Sequence, residues 1–234
     1  MESKVVVISG TSKGIGKGVA EHFIGKGYIV HGCSRGEGTI NHVNYLHKKV
    51  DISIENDVRE WIREIKKSSG RIDILLCNAG YAPANYLVNM TSGKVMNDVL
   101  TMNVNGTLFL CREVSKIMMR QRSGRIITVS SMAQGLHLEG TAAYASSKAA
   151  IVEMTKILAK EMSQFNITCN VIAPSMYMTD GVSVLGEQVI QRALASLTLK
   201  RQLKIEELTN VIDFYCAEES GCITGQVIYM GLVN

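Results

Sequence analysis

Seven short runs rich in β-branched and other apolar residues recur along the chain, at 4–9, 28–34, 46–50, 72–77, 125–131, 167–173 and 226–230. Most are continuously apolar, the pattern of strands buried on both faces of a parallel sheet. Between them lie stretches with apolar residues at helical spacing, such as Val58, Trp61, Ile62 and Ile65 within 54–69, where charges occupy the opposite positions. Strand and helix in alternation predict an α/β fold: a doubly wound parallel sheet of about seven strands with helices on both faces. Such sheets take ligands beyond the carboxyl ends of their strands, where the strand order reverses.

The chain has 234 residues and is 46% hydrophobic, enough to bury one sizeable core, and the unbroken alternation favours a single domain over residues 1–234. Its 25 basic and 21 acidic residues give a net charge of +4 without a long run of either sign, which provides no case for nucleic acid or a membrane surface. No stretch approaches the roughly 20 apolar residues of a membrane span, and the opening Met1-Glu2-Ser3-Lys4 leads straight into the first run without a leader. The six cysteines (Cys33, Cys77, Cys111, Cys169, Cys216 and Cys222) are scattered without metal-ligand spacing. They read as reduced thiols, and the expected location is cytoplasmic, with no metal site.

The first run ends in Gly10-Thr11-Ser12-Lys13-Gly14-Ile15-Gly16, and an amphipathic helix follows. Strand, glycine loop and helix together predict a dinucleotide-binding unit of Rossmann type, where a glycine loop alone would read equally as a plain turn. The glycines let the backbone approach a pyrophosphate, which then sits on unpaired N–H groups at the helix start. The spacing G-x-x-x-G-x-G differs from the commoner G-x-G-x-x-G. At the end of the second run a carboxylate would hold the ribose hydroxyls of NAD, whereas arginine pairs a 2′-phosphate. Here the residues are Cys33-Ser34-Arg35, with Lys13 as a second cation, so NADP(H) is favoured; Arg35 as a solvated loop residue is the alternative. Residues 36–44 leave room for a short helix or none. Asp51, after the third run, either accepts from the adenine amino group or caps the next turn. Asn78-Ala79-Gly80, after the fourth, is small enough for close approach of a cofactor.

Two further stretches carry chemistry. The helical segment 91–122 contains Met102-Asn103-Val104-Asn105-Gly106, whose Asn and Gly residues are costly in a helix interior and mark a functional or strained place. In Thr141-Ala142-Ala143-Tyr144-Ala145-Ser146-Ser147-Lys148, helical spacing puts Tyr144 and Lys148 on one face. A cation at about 4 Å in an effective dielectric of about 20 is worth roughly 4 kcal/mol, or about 3 pKa units. That would bring a phenol near 10 towards working pH, where a general acid is most effective. The same pair also occurs on helices without chemistry.

These residues, in this order over essentially the whole length, resemble the short-chain dehydrogenase/reductase family. Gly10 to Gly16 is similar to its glycine loop, and Cys77-Asn78-Ala79-Gly80 to its Asn-Asn-Ala-Gly element. Asn103 falls on its helix Asn, and Ser131, thirteen residues before Tyr144, on its strand-end Ser. Tyr144 and Lys148 match its Tyr-x-x-x-Lys pair, and Asn170 to Thr179, with Pro174, its Asn-x-x-x-Pro-Gly-x-x-x-Thr segment. The resemblance implies that Tyr144 protonates a carbonyl oxygen while nicotinamide delivers hydride to the carbon. Ser131 would donate to that oxygen, and Lys148 would lower the Tyr144 pKa and bind the nicotinamide ribose. Asn103 would hold a water linking Lys148 to solvent, and Thr179 would anchor the carboxamide.

Within the family the nearest resemblance is to 3-oxoacyl-thioester reductases of the acyl-carrier-protein type. It implies an acidic carrier as partner and a basic docking patch; Arg120, Arg122 and Arg125, near one strand start, are candidates, with solvated helix-end charges as the other reading. A dehydrogenase or reductase of a sugar, polyol or secondary-metabolite ketone is the alternative enzyme, and a non-catalytic NADP(H)-binding regulator the alternative of another class. Residues about 176–204, with Gly181 and Gly186, read as a substrate lid. Small residues of the catalytic helix suit a homotetramer or homodimer. Three departures stand out: Ser175 in place of the family's glycine after Pro174, the short 36–44 connection, and the ending Tyr229-Met230-Gly231-Leu232-Val233-Asn234.

Overall fold

In the computed structural model, which describes residues 3–177 and 187–232, the seven apolar runs pair into one parallel sheet. The strands are β1 (Val5–Ser9), β2 (Ile29–Ser34), β3 (Tyr45–Lys49), β4 (Ile74–Cys77), β5 (Gly124–Val129), β6 (Ile167–Pro174) and β7 (Val227–Met230). Their order is β3-β2-β1-β4-β5-β6-β7, so the direction of winding reverses between β1 and β4. Val6 stands beside Val30 on one side and Ile74 on the other. All pairings are parallel, which brings every strand's carboxyl end to one edge.

The period-two alternation of β1 explains the two layers of helices. Val5 and Val7 face one core with Trp61, Ile62 and Ile65 of α2 (Glu55–Ser69), Leu110 and Val114 of α4 (Gly106–Gln121), and Ala159 and Met162 of α6 (Ala142–Met162). Val6 and Ile8 face the other, with Val19 and Phe23 of α1 (Gly14–Gly25) and Leu208, Ile212 and Tyr215 of α8 (Ile205–Cys216). Residues 36–44 contain no helix, and β3 begins one residue earlier than its apolar pattern suggests.

The long helix expected over 91–122 is interrupted. α3 (Gly93–Leu100), N-capped by Ser92 Oγ accepting from Val95 N at 3.2 Å, runs into a π-helical turn, Thr101–Asn105, before α4 begins. The unfavourable Asn and Gly residues sit in that wider turn, a common form of functional irregularity. The 132–140 loop contains a one-turn helix, α5 (Ala133–Leu136), ended by His137 in the left-handed region at φ 49°. Of the segment expected as a lid, residues 178–186 lie outside the described residues. Beyond them come α7 (Glu187–Ala195) and the buried Leu197 and Leu203. Among the described residues no helix is long and apolar enough to cross a membrane, and no cluster of His, Cys, Asp or Glu could hold a metal ion.

Candidate active site

The glycine loop is built around close backbone contact. Gly10 takes φ 78°, and its N–H and that of Thr11 donate to Cys33 O at 2.8 and 3.1 Å. A Cβ on Gly16 would lie 2.2 Å from Gly10 O and 2.4 Å from Asn78 Nδ2, so only glycine fits. Gly16→Ala should therefore lower stability by about 1–3 kcal/mol, as overpacking does. Urea unfolding checks this; an unchanged midpoint would show slack in the loop. Lys13 precedes α1 without a side-chain cap, and this leaves the first-turn N–H groups of Gly14, Ile15 and Gly16 without a capping side chain, as an anion at the helix start requires.

Asn78 serves this loop directly. Its Nδ2 donates to Ser9 O at 3.0 Å and Gly10 O at 3.1 Å, while Ser9 Oγ accepts from the N–H groups of Asn78 and Ala79. The crossing between β1 and β4 is thus tied on both sides of the reversal in strand order. Ser9 is a site residue that the motif reading missed; its signal was its place at the strand end, immediately before Gly10.

Ser34 ends the neighbouring strand β2 and Arg35 follows it, and Thr39 Oγ1 donates to Ser12 O at 2.7 Å, which closes the short 36–44 connection over the glycine loop. Lys13 and Arg35 are exposed. Asp51 favours the turn reading for one oxygen: Oδ1 accepts from Ser53 N at 3.0 Å and Ser53 Oγ at 2.6 Å.

The reacting end lies on β5, α6 and the π-turn. Lys148, 4% exposed, donates to Val129 O at 2.8 Å, and its Nζ stands 5.6 Å from the centre of the Tyr144 ring. A Cβ on Gly80 would lie 3.3 Å from Asn103 Oδ1 and 3.5 Å from Lys148 Nζ, so the glycine leaves open the space where these groups converge. Asn103 is fully buried. Its Oδ1 accepts from Tyr81 N at 2.7 Å, and its Nδ2 donates to Tyr81 O at 3.0 Å and Ser147 Oγ at 2.9 Å. Both N–H groups of the amide are therefore used within the protein. Ser147, which in turn donates to Tyr144 O at 2.7 Å, couples the π-turn to the catalytic helix and had not been singled out.

The electrostatics differ from expectation in one respect. Burial pushes the Tyr144 phenol above its ordinary value, and a hydrogen-bonding contact with Ser131 opposes that; Lys148 does not lower it in this arrangement. The ammonium is bonded to Val129 O and lies against the ring. Burial brings Lys148 itself down to about 8. Ser131 Oγ accepts from Ala133 N at 3.2 Å, which fixes it at the start of the 132–140 segment.

Pro174 O accepts from Met132 N at 3.2 Å, joining the ends of β5 and β6. Thr179 lies outside the described residues. Two of the departures from the family pattern meet here: Ser175, 9% exposed and with a hydroxyl that finds no partner, faces Gly231, where a Cβ would lie 2.8 Å from Ser175 Oγ. Tyr229 OH also accepts from Gln134 Nε2 in the loop after Ser131.

The arginines proposed as a docking patch are far from this mouth. Arg125 lies at the start of β5 and donates to Gly124 O and Ala217 O, and Arg122 donates to Gln164 O. Six residues of extended chain separate Arg125 from Ser131, roughly 20 Å at about 3.3 Å each, so a carrier docked there would be at the opposite edge of the sheet. All six thiols are free, and burial pushes Cys33 and Cys216 up to about 12.

Comparison with known proteins agrees with this geometry. A family model described as Enoyl-(Acyl carrier protein) reductase matches residues 10–231. The 3-oxoacyl-[acyl-carrier-protein] reductase FabG of Salmonella typhimurium is 30% identical, covering 98% of this chain and 96% of its own. FabG of Buchnera aphidicola subsp. Baizongia pistaciae is 31% identical, at 97% and 95% coverage. The solved structure of ElxO with NADP bound superposes with a TM-score of 0.91 at 27% identity, over 97% of this chain and 96% of that one. From the matched length, the identity and the arrangement of Ser131, Tyr144 and Lys148, the chain belongs to the short-chain dehydrogenase/reductase family of oxidoreductases.

Proposed function

We propose that this oxidoreductase uses NADPH to reduce the ketone of a 3-oxoacyl thioester. The convergence of Tyr144, Ser131 and Lys148 beside the space that Gly80 leaves open carries this reading. The glycine loop, the uncapped start of α1 and the cations Lys13 and Arg35 suit a dinucleotide with a 2′-phosphate, and the FabG and ElxO names point the same way. Gly10, Ser12, Gly14, Ile15 and Gly16 would hold the pyrophosphate; Asn78, Ala79, Gly80 and Pro174 would border the nicotinamide half, with Thr179 as the carboxamide anchor; and Asp51 Oδ2 would meet the adenine. When bound, the cofactor supplies hydride to the carbonyl carbon.

The chain's own groups handle the proton. Tyr144 holds its proton because burial favours the neutral phenol, and it gives that proton to the substrate oxygen. Ser131 donates a hydrogen bond to the same oxygen as charge gathers there. Lys148 spends one of its three donors on Val129 O. The other two remain for the ribose hydroxyls. Asn103 positions Ser147 and the chain at Tyr81, with its proposed water on the Lys148 side.

An apolar rim supports the thioester over a sugar. Tyr81, Tyr86, Leu87, Val88, Met90 and Leu138 are all exposed, on two segments joined by Tyr86 N donating to Gly140 O at 3.1 Å. One segment follows Gly80 and the other connects Ser131 to the Tyr144 helix. Residues 176–204 would cover this rim as a lid. Exposed Leu108 on α4 and Ile157 on α6 suit pairing of these helices between subunits in a cytoplasmic homotetramer or homodimer. An acyl carrier protein is the natural partner, docking on the rim's side of the molecule.

The test follows absorbance, as NADPH consumption with a 3-oxoacyl thioester, a sugar ketone and a steroid ketone and as NADPH formation with a polyol and NADP+. We expect kcat/KM for the thioester to exceed the others by about tenfold or more, the size of one good differential contact. A preferred sugar or polyol would transfer the proposal to that substrate. Tight NADPH binding without turnover of any compound would make the chain a cofactor-binding regulator.

A further inference from the structure

Beneath the Ser34–Arg35 turn lies a line of hydrogen-bonded side chains with no assigned task. Thr11 Oγ1 and Tyr45 OH are 2.7 Å apart, Tyr45 OH is 3.0 Å from His47 Nδ1, and His47 Nε2 is 3.0 Å from Gly36 O and 3.3 Å from Ser34 Oγ. The line links the glycine loop to β3 and then to the turn that presents Arg35. Gly36 O can only accept, so Nε2 carries the imidazole hydrogen. Nδ1 then accepts from Tyr45, whose oxygen accepts from Thr11.

Two glycines make room for it. A Cβ on Gly32, in the middle of β2, would lie 2.4 Å from Tyr45 OH and 2.6 Å from Thr11 Oγ1, and one on Gly38 would lie 2.8 Å from His47 Cγ. Glycine inside a strand marks such a close approach. The acid of the turn is drawn aside: Glu37 pairs with Lys49 on β3, while Arg35 has no carboxylate partner among the described residues.

We propose that His47 is a positioning residue for selection of the 2′-phosphorylated cofactor, bracing the 34–38 turn from below so that Ser34 and Arg35 are held for the phosphate. Gly36 O has two donors, Ser34 Oγ at 3.0 Å and His47 Nε2. When the Ser34 hydroxyl rotates to a phosphate oxygen, His47 still satisfies that carbonyl and the turn keeps its shape. Without the imidazole, Ser34 has to serve either the turn or the phosphate.

This rests on the NADP(H) reading, and the experiment separates the two. Calorimetric titration of NADP+ and NAD+ into the whole protein and its variants gives both affinities directly, with thermal unfolding as a check on the fold. His47→Phe keeps a ring but no donor; it is expected to weaken NADP+ about tenfold, equivalent to about 1.4 kcal/mol, and NAD+ by less than about twofold. His47→Gln, whose amide can donate to Gly36 O, is expected to return NADP+ affinity to within about threefold of wild type. Tyr45→Phe leaves the imidazole in place and should cost NADP+ about two- to fourfold. The proposal is overturned by equal losses for the two cofactors, by an unchanged NADP+ affinity in His47→Phe, or by a Gln variant no better than Phe. Wild-type protein that binds NAD+ as tightly as NADP+ would overturn the cofactor reading instead.

Discussion

Replacing Tyr144 with Phe is expected to leave a folded, cofactor-binding protein whose turnover falls by about 10³, within the range of about 10²–10⁴ for a general acid. The hydroxyl is the only part removed, and its contact is with Ser131. Loss of that neutral contact should cost stability by no more than about 1.5 kcal/mol, with NADPH affinity within about threefold of wild type, since one hydrogen bond at most is lost. Single-turnover measurement with saturating NADPH separates the chemical step from binding. A variant retaining a tenth of the wild-type rate would mean that another group supplies the proton. Ser131 has no spare proton of suitable acidity, so the Lys148 ammonium, brought down to about 8 by burial, or bulk water would be the remaining source.

Lys148→Met is expected to have opposite effects on activity and on stability. Activity should fall by about 10² or more, because the ribose loses its two donors and the nicotinamide its placement over the carbonyl carbon. The apoprotein should become less dependent on pH. Burial brings the Lys148 pKa from 10.5 to about 8, so between those values the unfolded chain holds a proton that the folded chain has released. Stability then rises with pH across this window: the penalty for a buried ammonium is fully present below about 8 and is gone above about 10.5. The shift corresponds to about 3 kcal/mol, to order of magnitude. Urea unfolding of wild type and variant from pH 7 to above 10 isolates this contribution, because the other titrating groups are common to both. Parallel pH profiles for the two proteins would show that the site is wet enough to keep the amine near its ordinary value.

Much of this arrangement is readable from residue order because parallel α/β folds keep a simple rule: a strand's last residue and the few that follow are delivered to one edge. Gly10, Ser34, Asn78, Ser131 and Pro174 each follow or end an apolar run, and all arrive there. The Tyr144 and Lys148 pair is local and follows from helical spacing alone. What residue order did not reveal depends on contacts distant in the chain. Ser9 and Asn78 are 69 residues apart, Asn103 and Ser147 are 44 apart, and Thr11 and Tyr45 are 34 apart. The tuning of Tyr144 was missed for a related reason: spacing puts two side chains on one face but says nothing of the carbonyl of Val129, which draws the Lys148 ammonium to itself. Of the basic cluster, Arg122 and Arg125 bond backbone carbonyls at the amino end of β5, which suits the reading as helix-end and strand-start charges better than a docking patch beside Ser131.

The π-turn at Thr101–Asn105 can also be described as a phase defect. Each residue of an α-helix advances the azimuth by about 100°, so one surplus residue in a turn rotates everything before it relative to everything after. α3 and α4 are therefore two helices of independent orientation joined end to end without a loop. The azimuth of α4 is set by Leu110, Val114 and Met118, which are fully buried against the sheet. That of α3 is set separately by Val99, also fully buried, and Asn103 sits in the slip between the two.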